Sequence, residues 1–179
     1  MMLWSDVHYA EQPLTDARLE AYLAALRPLY PNGRVLLRCF QPTDAAAFHS
    51  ASRHDWRGRD HLLSSFLNAP SIRAFLGELQ IPSPLRLPAF HCYSAYEMEG
   101  TLTVTLLRGG AYQMFPGTED KARRLSREFV AAIGHDYTQV FSIEGAWTGW
   151  FLDVAWDSSF VVYDPQGMRW WILCLTDTD

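Results

Sequence analysis

Apolar positions recur at helical spacing in two long segments of the chain, and with a period of two or in unbroken runs in several others. In LTDARLEAYLAALRPLYPNG, Leu19, Tyr22, Leu23 and Leu26 make one stripe, and Pro31-Asn32-Gly33 supplies a stop. Thr15 is placed to cap this helix, with Asp16 in its first turn and Leu14 and Leu19 at the two positions of a hydrophobic staple. In PGTEDKARRLSREFVAAIGHD the stripe is Leu125, Phe129, Val130 and Ile133; Thr118 caps it, Glu119 and Asp120 favour its positive end, and Gly134 closes it. Between 43 and 80 the pattern is helical in pieces, with Leu62, Leu63, Phe66 and then Ile72, Phe75, Leu76, Leu79 at helical spacing.

The remaining segments read as strands. RVLLRCFQ and YTQVFSIE are two of them. AFHCYSAYEM and TLTVTLLRG predict a hairpin turning near Glu99-Gly100, because Leu102, Val104 and Leu106 alternate with threonines. SFVVYDPQGMRWWILCL predicts another, with Asp164-Pro165-Gln166-Gly167 filling a type I turn. Its strands are apolar on both faces, so this hairpin is either central, with helices above and below, or partly open to a partner. GAWTGWFLDVAW is ambiguous: Trp147, Trp150, Phe151 and Val154 fall at i, i+3, i+4 and i+7, which favours a helix, and Gly149 weakens it. The sum is an α+β fold, a mostly antiparallel sheet of about five or six strands with helices packed on it.

At 179 residues the chain is expected to be a single domain spanning 1–179. The proline-rich IPSPLRLP, residues 81–88, is an extended connector and the one internal boundary, setting off a possible helical sub-lobe at 43–81. No apolar run reaches the length of a bilayer span and the N-terminus lacks the regions of a signal peptide, so a soluble cytoplasmic protein is expected. Cys39, Cys92 and Cys174 are far apart in apolar runs, as buried free thiols in a reducing compartment would be. Lys121 is the single lysine against fourteen arginines, a bias of GC-rich coding that points to a bacterial source. A net charge of −5 with dispersed arginines argues against nucleic acid.

The familiar chemistries find little to rest on. His49, His54 and His61 accompany Asp55 and Asp60, but on one helix His54 and His61 stand about 10 Å apart, too far to share an ion. Adjacent residues on a strand point to opposite faces, so His91 and Cys92 cannot pair as base and thiol. Glu97 and Glu99 would share a strand face about 7 Å apart, yet charges beside a turn need no catalytic reason. No metal or cofactor is expected.

The acidic and tryptophan-rich C-terminal third remains. Asp153 and Asp157 share a face whether helical or extended. The chain stops WWILCLTDTD, where Asp177, Asp179 and the terminus are either a solvated end or part of an acidic patch. Taking Trp147, Trp150, Asp153, Asp157, Asp177 and Asp179 as one aromatic-rimmed surface, we expect a non-enzymatic module that binds a basic protein. The most concrete version is an immunity-type inhibitor that occludes a bacterial toxin or effector enzyme, as a monomer or small homo-oligomer. The alternative is a small-ligand binder or enzyme assembled around the 90–108 hairpin from His91, Cys92, Glu97 and Glu99, with Arg108 as an anion clamp. An exposed acid and tryptophan patch would favour the first, and a pocket of convergent polar groups the second.

Overall fold

The computed structural model describes residues 3–54, 58–134 and 137–178. Six strands form one antiparallel sheet: β1 Tyr9–Gln12, β2 Arg34–Pro42, β3 Phe90–Ser94, β4 Gln139–Glu144, β5 Ser158–Asp164 and β6 Arg169–Thr176, in the order β1-β2-β6-β5-β4-β3. Six helices pack on it: α1 Ala17–Leu26, α2 Ala45–His54, α3 Arg59–Asn68, α4 Pro70–Phe75, α5 Ala95–Arg108 and α6 Glu119–Ile133. The fold is α+β.

The helices divide between the two faces of the sheet, and that division explains the doubly apolar final hairpin. Trp170, Ile172 and Cys174 of β6 join Phe141, Val161 and Tyr163 in a core with α2, α3 and α4. Trp171, Leu173 and Leu175 point the other way, into a core with α1, α5 and α6. β5 and β6 are therefore central and buried on both sides, and the helices from the 43–81 segment share a core with the sheet. The Trp170 ring stacks on Phe66 at 4.0 Å between centroids, and Trp4 meets Trp170, Phe48 and Tyr163 edge-on. The turn closing the hairpin is held by Asp164, whose Oδ1 accepts from Gln166 N at 3.2 Å and Gly167 N at 2.9 Å while Oδ2 pairs with Arg169 at 3.0 Å.

Three expectations are corrected. The hairpin expected over 89–109 is strand β3 followed by helix α5. Ser94 and Glu97 start the helix as a capping box: the Glu97 carboxylate accepts from Ser94 N at 2.9 Å and from Ser94 Oγ at 3.0 Å. The threonines that mimic strand alternation bond back to the preceding turn, Thr101 Oγ1 to Glu97 O, Thr103 Oγ1 to Glu99 O and Thr105 Oγ1 to Thr101 O. Met98, Leu102 and Leu106 supply the buried stripe at a spacing of four. Residues 145–157 form turns, and Trp147, Trp150 and Phe151 reach the core from them without a helix. Asp153 sits there at φ 58°, outside helical backbone. Finally, Asp16 caps α1 in place of Thr15, accepting from Arg18 N at 2.9 Å. Thr118 caps α6 as expected, accepting from Lys121 N at 3.2 Å.

Candidate functional site

The residues expected to form an acidic, aromatic surface are mostly interior. Trp147 and Trp150 are 4% and 5% exposed in the core under α2–α4, and the Trp147 indole donates to Ser159 Oγ at 2.8 Å. Asp157 is buried; its Oδ1 accepts from Thr176 Oγ1 at 2.6 Å and its Oδ2 from Val154 N at 3.1 Å. Asp177 is fully buried, with Oδ1 accepting from Asn32 N at 3.2 Å and Oδ2 from Ala111 N at 2.8 Å. Asp153 is exposed, and Asp179 lies outside the described residues. The five that are described do not converge on one exposed patch. The acidic ending is, at Asp177, a pin that ties the loop after α1 to the loop after α5.

The alternative set is also dispersed. His91 and Cys92 lie on the edge strand β3, Glu97 is spent on the cap, and Arg108 in the last turn of α5 is about 16 Å along the axis from Glu97. Burial raises the Cys92 thiol, which does not favour a nucleophile. Among the described residues no three or more His, Cys, Asp or Glu side chains are grouped to hold a metal ion.

A different arrangement does gather polar and charged side chains. At the end of the sheet where β4 and β6 finish and β5 begins, a cleft of about 460 Å³ opens between α5 and the 145–157 loop. α5 contributes Thr101, Thr105 and Arg108, at i, i+4 and i+7 and so on one face. The strands contribute two cross-strand pairs, Ser142 opposite Phe160 and Glu144 opposite Ser158. Tyr30, Trp156 and Asp157 complete the walls. Asp177 holds the neighbours of two wall residues, Asn32 beyond Tyr30 and Ala111 beyond Gly109, so the pin shapes the cleft.

Two of its three charged groups are open. The side chains of Glu144 and Arg108 are exposed, and neither forms a hydrogen bond or ion pair among the described residues. The Tyr30 hydroxyl is pushed up to about 12 by burial and by the charge of Asp177, so it stays protonated. Beneath the floor, the buried Tyr93 hydroxyl lies near Ser142 and Thr101.

No family model, curated protein or solved structure matches this chain.

Exposed apolar side chains lie in the lining of the cleft and on the segments that continue from it. Val104 in its wall is 46% exposed, and the adjoining loops carry Tyr112 at 59%, Met114 at 75% and Leu152 at 46%. These are four of the eight large apolar side chains exposed among the described residues, so apolar exposure is weighted towards the segments that wall the cleft. The loop carrying Tyr112 and Met114 folds back on the cleft wall, with the Gln113–Met114 backbone packed against Gly109. Sequence reasoning passed over Tyr30, Glu144 and Trp156. The one signal for Glu144 was its place as the acid closing an otherwise apolar strand next to Gly145.

Proposed function

We propose that the protein is a non-enzymatic binding module for a basic protein. In its most concrete form it is an immunity-type inhibitor of the bacterial cytoplasm that covers the active site of a toxin or effector enzyme. The observation that carries this reading is the free Glu144 carboxylate in a cleft whose walls and adjoining loops expose Val104, Tyr112, Met114 and Leu152. Tyrosine, methionine and tryptophan are the side chains enriched at the desolvated centres of interfaces, where a few of them hold most of the affinity. A net charge of −5 adds long-range attraction for a cationic partner and speeds encounter. The binding surface in this reading is the α5/β4–β5 cleft, not the patch centred on Trp147 and Trp150.

A second reading rests on Arg108. A free guanidinium beside a cleft of this size is also the arrangement of a pocket for a small anion.

Affinity capture from a bacterial host, with the wild type beside Glu144→Lys and a Glu20→Lys control on the exposed face of α1, tests the first reading. The expected result is one stoichiometric basic protein, retained by the control, lost by Glu144→Lys and weakened as salt rises. Co-expression should then relieve that protein's toxicity or inhibit its activity. A partner retained equally by Glu144→Lys would place the interface elsewhere.

A further inference from the structure

We infer that the cleft receives a basic side chain of the partner, an arginine or lysine whose charged head meets Glu144 and whose stem lies along Trp156 and Val104. The inference rests on the protein-binding reading above and names the group recognised. Three features favour a cation over an anion. Glu144 has no competing partner among the described residues, and Asp157 in the same lining, though buried with both oxygens taken by Thr176 and Val154, adds negative charge to the field of the cleft against its one guanidinium, Arg108. The hydroxyls of Thr101 and Thr105 already donate to backbone carbonyls, Glu97 O and Thr101 O, so what they offer the cleft is lone pairs. A guanidinium carries five donors and no acceptor, and an ammonium three donors and none, which is the complement of such a wall. Trp156 supplies an aromatic surface in the same lining as the acid, where a cation can gain from a ring as well as from a carboxylate. The exposed Val104 of the lining, with Tyr112 and Met114 exposed on the loop that follows α5, offers apolar surface that a partner protein could cover and a free amine could not.

The test is a titration of the 15N-labelled protein with methylguanidinium chloride at constant ionic strength, following the Trp156 indole resonance. The result expected is a saturable shift with a midpoint in the millimolar range, as the few atoms of the probe allow. Glu144→Gln, at an exposed position whose change leaves the fold intact, should raise the midpoint at least fivefold. A linear, unsaturated response, or an unchanged midpoint in Glu144→Gln, overturns the inference. So does a saturable response to sodium acetate that disappears in Arg108→Gln, which would make the cleft an anion site. The two readings fail separately. A basic partner captured by the wild type and lost by Trp156→Ala, with no methylguanidinium binding, would keep the protein-binding reading and sink the cation site. Methylguanidinium binding with no basic partner would do the reverse.

Discussion

Replacing Asp177 by alanine is expected to destabilise the fold substantially while altering no exposed charge. The carboxylate is fully buried and accepts two backbone hydrogen bonds, from Ala111 N at 2.8 Å and Asn32 N at 3.2 Å. A hydrogen bond to a charged acceptor contributes about 1.5–3 kcal/mol. The two donors lie near the surface and partly rehydrate once released, which holds each loss to the lower end and the total to about 3 kcal/mol. For a chain of this size that corresponds to a fall in Tm of about 6–12 °C. Asp177→Asn should lose about half as much, because one oxygen keeps its donor while the amide nitrogen turns donor against donor. Urea unfolding followed by tryptophan fluorescence measures both, with Asp153→Asn as a control expected within about 0.5 kcal/mol of wild type. An Asp177→Ala protein within that same margin, at unchanged m, would show that the carboxylate does not hold the two loops. The experiment also guards the functional test: a binding loss in an Asp177 variant reports a slackened cleft before it reports a missing contact.

A Cβ on Gly110 would overlap both the Asp177 carboxylate and the Leu29 carbonyl, so Gly110→Ala should cost about 2 kcal/mol or more in the same unfolding assay. The Glu97 carboxyl is held below its ordinary range by the hydrogen bonds from Ser94, so its contribution is present above the unfolded glutamate pKa and lost as pH falls through the lower folded value. Amide exchange at the start of α5 should therefore accelerate in acid, and Glu97→Gln should flatten that dependence. Burial pushes the Cys39 and Cys174 thiols up to about 12, while Cys92 is only half-buried. An aromatic disulfide reagent at pH 8 should label at most one thiol per native chain, at Cys92, and all three after denaturation.

What was legible in the sequence follows from how local each signal is. The helices at α1 and α6, the β5–β6 turn and the central place of that hairpin are written in caps, stripes and a doubly apolar run, each spanning few residues. α5 was misread because threonine alternation imitates a strand. The Ser94-Ala95-Tyr96-Glu97 capping box stood in the same segment, and it outweighs β-branched propensity once the threonine hydroxyls bond back into the helix. The 145–157 loop copied helical spacing because turns also return a chain to the same side every few residues. The cleft was illegible for a different reason. Acid and tryptophan look exposed and sticky in a list of residues, but Asp157, Asp177, Trp147 and Trp150 each find partners far along the chain or in another element, and only tertiary structure reveals those. The cleft itself draws on α1's exit, α5, β4, β5 and a loop, so no window of sequence contains it.

The position of β6 between β2 and β5 has a consequence for synthesis. The partner of β2 along one whole edge is a strand made more than a hundred residues later. Until residues 169–176 emerge, β2 and β5 both present open edges, and neither helical layer has the middle of its floor. The sheet is therefore expected to close only once β6 is available, through contacts distant in the chain that favour slow folding. A chain truncated before Arg169 is expected to expose both edges and both apolar faces, and so to be a substrate for chaperones and proteases.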